Sequence, residues 1–278
     1  IAQAGAKGRQ LHKFGGSSLA DAKCYLRVAG IMKEYSQAGD MMVVSAAGST
    51  TNQLISWLKL SQSDRLAAHQ VQQSLRRYHT ELIGGLLEPA AADTLIAAFI
   101  HDLERLAGLL DGGVSEAVYA EVVGHGEVWS ARLMAAVLNQ LGMEAAWLDA
   151  RAFLRAERAA QPQVDEGLSY PLLQQLMAQH PNKRLVVTGF ISRNQAGETV
   201  LLGRNGSDYS ATQIGALAGA SRVTIWSDVA GVYSADPRKV KDACLLPLLR
   251  LDEASELARL AAPVLHARTL QPVSGSDI

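Results

Sequence analysis

The chain has 278 residues, of which 48% are hydrophobic, and its formal net charge is −1. This length allows a large core in a single α/β domain, and the near-neutral charge gives no reason to expect nucleic acid or a membrane surface as the main partner. The two cysteines, Cys24 and Cys244, have spacing that indicates neither a disulfide framework nor a zinc site. Because no apolar run has the length of a membrane span and no signal peptide is visible, we expect a soluble, cytoplasmic protein.

Strands and helices alternate along the chain, which is typical of an α/β fold. Residues 1–10 are small and polar and are predicted to be a flexible arm. Short apolar runs predict strands at 11–14, 41–46, 145–148, 185–191, 200–202 and 222–226. Apolar residues at helical spacing predict helices at 19–35, 52–110 with breaks near 61–63 and 84–89, 117–141, 168–179, 209–219 and 251–270. The pattern favours a mostly parallel sheet with helices on both faces, in one domain over residues 11–278.

Two glycine-containing turns are candidate anion sites. In residues 200–211 a strand breaks at Gly203 and a helix follows, with Ser207 or Asp208 as its predicted N-cap. The free backbone N–H groups and the dipole of such a helix favour an anion, and Arg204 in the same turn suits a carboxylate or a phosphate. A similar turn, Lys-Phe-Gly-Gly-Ser-Ser, occupies residues 13–18. Two such turns suggest that two anionic groups are brought together, as phosphoryl transfer requires.

Other motifs are weaker when each is taken alone. The hydroxyl-rich turn at 45–52 is by itself more often a helix cap than a binding site. Glu127, in Gly-His-Gly-Glu with apolar residues on both sides, is predicted to point into an enclosed space. Gly124 and Gly126 each cost about 1 kcal/mol relative to alanine inside a helix, which indicates a close approach of ligand or backbone. The sequence has no P-loop, no dinucleotide-binding glycine motif and no protein-kinase motif, and its histidines lack metal-ligand spacing.

Five motifs in order carry a resemblance to a known family. They are Lys-Phe-Gly-Gly-Ser-Ser at 13–18, Ser-Ala-Ala-Gly-Ser-Thr-Thr-Asn at 45–52, Gly-His-Gly-Glu at 124–127, Gly-Arg-Asn-Gly-Ser-Asp-Tyr at 203–209 and Trp-Ser-Asp-Val-Ala-Gly-Val-Tyr-Ser-Ala-Asp-Pro-Arg at 226–238. Together they resemble the aspartokinase branch of the amino-acid kinase family, and more closely the kinase segment of the methionine-linked bifunctional aspartokinase/homoserine dehydrogenases. The resemblance implies a three-layer α/β/α fold, with an amino-acid-binding part at about 11–200 and a nucleotide-binding part at about 201–278.

The resemblance also implies a reaction, in which ATP, with Mg²⁺, phosphorylates the side-chain carboxylate of L-aspartate to give 4-phospho-L-aspartate and ADP. This is the first step towards methionine, threonine and lysine. By this matching Lys13 and Asp208 are catalytic, and no metal is held by the protein alone. The implied substrate-binding residues are Ser45, Thr51, Glu127 and Arg204. The implied ATP-binding residues are Gly15, Gly16, Ser17, Ser227, Asp228, Tyr233 and Arg238. A homodimer and a covalently linked homoserine dehydrogenase are the implied protein partners, and the chain resembles an excised kinase domain without the regulatory and dehydrogenase domains.

The sequence departs from the family pattern at three positions. Asn205 stands where glycine is frequent, and it tolerates positive φ better than most other residues. Ser227 replaces the usual threonine and keeps its hydroxyl group. Pro263 replaces a common lysine near ATP, so we expect weaker ATP binding or compensation from Arg238 or Lys239. Two alternatives stay open: a kinase for another acid such as N-acetylglutamate, and a nucleotide-binding module that has lost catalysis.

Overall fold

The computed structural model of the protein describes residues 8–236, 239–259 and 266–278. Its strands are β1 Gln10–Phe14, β2 Met41–Val44, β3 Ala145–Leu148, β4 Arg184–Thr188, β5 Ile191–Arg193, β6 Thr199–Leu201 and β7 Arg222–Trp226. Its helices are α1 Ala22–Tyr35, α2 Thr50–Ser61, α3 Arg65–Gly84, α4 Pro89–Asp111, α5 Glu116–Gln140, α6 Glu166–Gln179, α7 Gly206–Leu217, α8 Leu251–Arg259 and α9 Ala267–Leu270. None of the helices in this part of the chain has the length and apolarity that crossing a membrane requires.

The central sheet is parallel and lies between two layers of helices. Its strand order is β3-β4-β2-β1-β7, and β5 and β6 form a separate antiparallel hairpin. Successive side chains of a strand point to opposite faces. In β2, Met42 and Val44 therefore pack with α1 and α5, whereas Met41 and Val43 pack with α6 and α7. The predicted three-layer α/β/α fold with a mostly parallel sheet is confirmed.

The strand predicted over residues 185–191 is wrong in its second half. β4 ends at Thr188, the chain turns at Gly189 and Phe190, and β5 begins at Ile191 and pairs with β6. Phe190 has a φ of 67°, in the left-handed region that few non-glycine residues adopt. The run stays apolar through the bend because β4 is buried in the sheet and the hairpin packs on α5. Apolar character alone therefore did not reveal the turn.

The glycines of α5 allow other parts of the protein to approach the helix closely. A Cβ atom at Gly124 would lie 2.5 Å from Cγ2 of Ile191 in β5. A Cβ atom at Gly126 would lie 2.8 Å from Cβ of Ala46 and 3.1 Å from Cγ2 of Thr50. The predicted close approach is made by the hairpin on one side and by the loop after β2 on the other. Both segments are thereby fixed against the helix that carries Glu127.

The predicted arm ends earlier than residue 10. Gln10 is already in β1, opposite Arg222, and the Arg9 guanidinium donates to the carbonyl oxygen of Gly39 at 2.8 Å. The Ser221 N–H donates to the Arg9 carbonyl oxygen at 2.8 Å, so this polar segment is held by the neighbouring strand. Residues 1–7 lie outside the described residues. In the predicted helix 251–270, α8 and α9 are described and residues 260–265 are not.

Candidate active site

The register of the sheet brings four loops to one edge. Phe14 at the end of β1 lies opposite Val44 and Trp226, and Val44 lies opposite Thr188. In open parallel sheets, ligands bind outside the carboxyl ends of the strands. The four loops begin with Gly15, Ser45, Gly189 and Ser227. The ends of β1, β2 and β7 thus place the starts of three predicted motifs, at Lys13, Ser45 and Trp226, side by side.

A cavity of about 340 Å³ opens at this edge of the sheet. Its walls come from the loop after β1, the loop after β2, α5, and the turn that leads into α7. The turn contributes Gly203, with a φ of 80°, and Asn205, with a φ of 55°. The predicted site residues in the wall are Lys13, Gly15, Gly16, Ser45, Thr51, Glu127 and Asp208. Residues far apart in the chain therefore meet around a space of small-molecule size.

Lys13 and Asp208 form an ion pair in the cavity wall. Lys13 Nζ lies 2.5 Å from Asp208 Oδ1, and the lysine is only 9% exposed. The prediction of Ser207 or Asp208 as the helix N-cap is wrong. Helix α7 begins at Gly206, and Asn205 occupies the cap position without a side-chain capping bond. Asp208 lies within the first turn, where its carboxylate reaches across to Lys13 instead of capping the helix.

Glu127 is a buried carboxyl group that faces the cavity. The side chain is 3% exposed and accepts a hydrogen bond from the backbone N–H of Ala46. Its Oε2 atom has no hydrogen-bond partner among the described residues. Burial, only partly offset by backbone hydrogen bonds, raises the pKa of Glu127 to about 8. A cation that entered the cavity would supply the missing partner and favour the ionised form.

The sequence matches the amino acid kinase family over residues 8–278. The chain belongs to the amino acid kinase family. It is 87% identical over its whole length to bifunctional aspartokinase/homoserine dehydrogenase 2 of Escherichia coli K12, of which it covers 34%. It is 33% identical over 269 residues to lysine-sensitive aspartokinase 3 of the same organism, covering 96% of the chain and 59% of that protein.

A solved structure with the same fold is that of E. coli aspartokinase III in complex with aspartate and ADP. The TM-score is 0.87 at 30% sequence identity, over 97% of this chain and 60% of that chain. Aspartate kinase from Clostridium acetobutylicum matches with a TM-score of 0.76 at 26% identity, over 96% of this chain and 58% of that one. The resemblance carried by the five motifs is thus confirmed at the level of family and fold. The chain spans only about a third of the bifunctional relative.

Arg204, predicted to bind the substrate, does not line the cavity of this amino acid kinase. Its side chain is exposed and makes no hydrogen bond or ion pair to another described residue. Ser17 is also exposed, in the 3₁₀ turn after Gly15. Both residues belong to turns whose neighbouring backbone forms the wall. The glycine motifs therefore predicted the turns correctly, but they did not determine which side chains point inward.

Among the described residues, those of the loop after β7 that are predicted to bind ATP do not line the cavity, in contrast to Gly15 and Gly16. Ser227 and Asp228 are exposed just after β7, and the Ser227 hydroxyl donates to Asp228 Oδ1 at 3.2 Å. Tyr233 is half-buried and pairs with Leu245 through a backbone bridge. Arg238 and Pro263 lie outside the described residues. The roles predicted for these residues stay predictions.

Arg268 in α9 is a contact of the site that the sequence did not indicate. Its buried guanidinium donates to the carbonyl oxygens of Leu202 and Pro162 and lies 4.0 Å from the ring centroid of Tyr209. It thereby holds the turn at Leu202 and Gly203, which leads into α7. The sequence shows only a single arginine within a helical pattern, which does not predict this contact. Phe190 also lies in the cavity wall, and it was missed because residues 185–191 were predicted to be one straight strand.

Proposed function

We propose that the chain is an aspartate kinase, which transfers the γ-phosphoryl group of ATP to the side-chain carboxylate of L-aspartate. The products are 4-phospho-L-aspartate and ADP. The observation that carries this proposal is the partly unpaired Glu127 carboxyl group in a cavity that also contains Lys13 and the start of α7. L-Aspartate presents the complementary groups, one ammonium and two carboxylates on a small molecule. The names of the relatives, and the aspartate and ADP in the aspartokinase III complex, support the same reaction.

The cavity and the turn beside it offer a separate partner for each group of the acid. Glu127 would bind the ammonium, because its Oε2 has no partner among the described residues and a cation would favour its ionised form. Ser45 and Thr51 would hold the reacting carboxylate with their hydroxyl groups. Arg204 would bind the α-carboxylate, since its exposed guanidinium lies on the turn beside Gly203 and is not engaged by another described residue.

Phosphoryl transfer to a carboxylate requires positive charge, because both reactants are anions. Lys13 supplies it, and Asp208 holds the lysine ammonium in place at 2.5 Å. The glycine loop after β1 and the first N–H groups of α7 add donors at the same edge. No strong base is needed, since a side-chain carboxylate is already ionised at neutral pH. The protein's main contributions are therefore orientation and charge.

The nucleotide would lie on the β7 side of the cavity. Ser227 and Asp228 follow β7 at the sheet edge from which Gly15 follows β1, and Tyr233 and Arg238 continue that loop. Among the described residues, no group of three or more His, Cys, Asp or Glu side chains could hold a metal ion. Mg²⁺ would accordingly be bound largely by phosphate oxygens and water, as is common for this ion.

The setting of the domain is a further part of the proposal. The bifunctional E. coli relative suggests that a homoserine dehydrogenase is covalently linked to this kinase in a longer protein. Assembly as a homodimer and a cytoplasmic location, both expected from the sequence, belong to the proposal in the same way.

A coupled ADP-release assay over a panel of acids tests the proposed function. ADP formation that depends on L-aspartate supports it. ADP formation that depends instead on N-acetyl-L-glutamate or N-acetyl-L-aspartate would assign the cavity to another acid. If ATP binds and no acid yields ADP, the chain is a nucleotide-binding module without catalysis.

A further inference from the structure

Two consecutive residues of α3 contact the loops that follow β1 and β2. The Tyr78 hydroxyl donates to the carbonyl oxygen of Ala20 at 3.0 Å. The next residue, His79, has its Nε2 atom 3.1 Å from Oγ1 of Thr50, at the start of α2. Helix α3 packs against α2 and α4, and neither side chain lines the cavity. The contacts therefore support the site from behind.

The direction of the hydrogen bond between His79 and Thr50 follows from the neighbouring contacts. The Thr50 hydroxyl donates its single hydrogen to the carbonyl oxygen of Ala47 at 2.6 Å, so it must accept from His79. The His79 ring is 2% exposed and lies 4.9 Å and 5.0 Å from the rings of Phe99 and Trp129. Burial lowers the pKa of His79 to about 3, so the ring is neutral and its proton lies on Nε2. His79 is a fixed donor at any physiological pH.

The loop that His79 contacts carries two parts of the proposed acid site. Ser45 of this loop and Thr51, in the first turn of α2, line the cavity, and the Ala46 N–H donates to the Glu127 carboxylate. The same loop packs on α5 at Gly126, one residue before Glu127. A displacement of the loop would therefore move both the hydroxyl groups and the backbone donor to Glu127. The hydroxyl of Thr50 is completely buried, which makes its hydrogen bonds a strict constraint on the loop.

We infer that His79 is a positioning residue, which acts through Thr50 to hold the loop at 45–51 in the conformation that binds the acid substrate. This inference rests on the proposed function, and it names a residue that contacts neither substrate nor nucleotide. Loss of the His79 donor removes one hydrogen bond from the completely buried Thr50 hydroxyl and loosens the loop on the acid side. The nucleotide side keeps its own loop after β7, so the KM for L-aspartate should change more than the KM for ATP.

Matched variants at Thr50 give the first test. Thr50→Val has nearly the same shape but lacks the hydroxyl, whereas Thr50→Ser keeps it. We expect Thr50→Val to raise the KM for L-aspartate about tenfold and the KM for ATP by less than about twofold, with Thr50→Ser within about threefold of the parent. His79→Phe keeps the ring packing and should behave like Thr50→Val, whereas His79→Gln keeps an N–H donor and should behave like Thr50→Ser. The double variant Thr50→Val, His79→Phe should have a KM for L-aspartate no higher than that of either single variant.

Amide hydrogen exchange in the unliganded protein tests the inference without relying on activity. The Gly48 N–H donates to Gly16 and the Thr50 N–H donates to Ala47, at 3.1 Å and 3.0 Å. Thr50→Val should speed exchange at these amides about tenfold, and Thr50→Ser should not. Three results would overturn the inference. They are equal exchange rates and KM values in the two Thr50 variants, equal changes in the KM for L-aspartate and the KM for ATP, and additive effects in the double variant. If the parent does not phosphorylate aspartate, the proposed function fails and exchange alone decides the role of His79. If His79→Phe does not fold, the Thr50 pair decides it.

Discussion

The two sides of the candidate site differ in how firmly the protein holds them. On the acid side, the loop after β2 is bonded to the loop after β1 through Gly48 and Gly16 at 3.1 Å, and it packs on α3 and α5. On the nucleotide side, the side chains of Ser227 and Asp228 are exposed just after β7. Buried contacts therefore fix the first side, whereas much of the second side faces solvent.

This difference predicts where substitutions have large effects. A preformed and buried pocket strengthens each electrostatic contact, because water does not screen the groups. A contact made by exposed side chains competes with water and is worth much less. Changes to Lys13 and Glu127 should accordingly alter turnover and selectivity strongly, and changes near the nucleotide should alter affinity modestly.

The largest effect is expected for Lys13→Ala. Removal of this buried cation should lower kcat by roughly 10²–10³, the scale of one lost electrostatic stabiliser in a transition state. It also leaves Asp208 without its partner at 2.5 Å. Steady-state kinetics measures the change, with Lys33→Ala, an exposed lysine on α1, as the control that should retain the parental kcat. A folded Lys13→Ala variant with near-normal kcat would remove this lysine from the catalytic residues.

A second large effect concerns how the amino group of the acid is recognised. Acetylation removes the ammonium that Glu127 would pair with, and removing one partner of a buried ion pair costs about 3–5 kcal/mol. We expect kcat/KM for N-acetyl-L-aspartate to be lower than for L-aspartate by at least about 10². Glu127→Gln should reduce the difference in kcat/KM between the two acids, and Arg204→Ala should lower kcat/KM for both. If the acetylated acid is phosphorylated as well as L-aspartate, the role given to Glu127 is wrong.

The pH dependence of the acid KM gives an intermediate effect. Glu127 has a folded-state pKa of about 8, so its ionised form, which pairs with an ammonium, becomes more abundant as pH rises through this value. The KM for L-aspartate should therefore fall about tenfold between pH 7 and pH 9. The KM for ATP serves as the internal comparison, and Glu127→Gln should abolish the trend. A KM for L-aspartate that stays flat in the parent would mean that Glu127 is ionised throughout.

The same raised pKa predicts that the folded protein becomes less stable as pH rises, although binding of L-aspartate becomes tighter. A carboxyl group whose folded pKa exceeds its unfolded value near 4.5 destabilises the fold progressively as pH rises from about 4.5 to about 8. Glu127→Gln removes this penalty, so its melting temperature should exceed that of the parent at pH 8 and match it near pH 4. Thermal melts at the two pH values measure the difference. If the melting temperatures of Glu127→Gln and the parent differ by the same amount at both pH values, the substitution has changed packing rather than charge.

The sequence predicted the parts of the molecule that depend on local pattern. Apolar runs gave the central strands, and helical spacing gave α5 within one residue at each end. The turn at Phe190 and the start of α7 were missed. The Phe190 N–H donates to the Ser210 hydroxyl at 2.9 Å, a contact that no local pattern marks. Asp208 lies within the first turn of α7 and pairs with Lys13, which lies 195 residues earlier in the sequence. His79 and Arg268 were missed for the same reason, since no motif marks a residue that acts through its neighbour.

The smallest effect is expected on the nucleotide side, at Pro263. Lysine is common at this position in the family, and a restored ammonium could pair with a phosphate oxygen of ATP. Because an added ion pair that competes with water contributes about 0.2–1 kcal/mol, we expect Pro263→Lys to tighten binding of an ATP analogue by up to about fivefold in isothermal titration. The KM for L-aspartate should not change, since the acid side is held by its own buried contacts. Pro263→Ala removes the proline without adding charge and should leave the affinity unaltered. If this control tightens binding equally, the backbone and not the charge is responsible. If Pro263→Lys alters the KM for L-aspartate as well, the two sides of the site are coupled and the contrast between them fails.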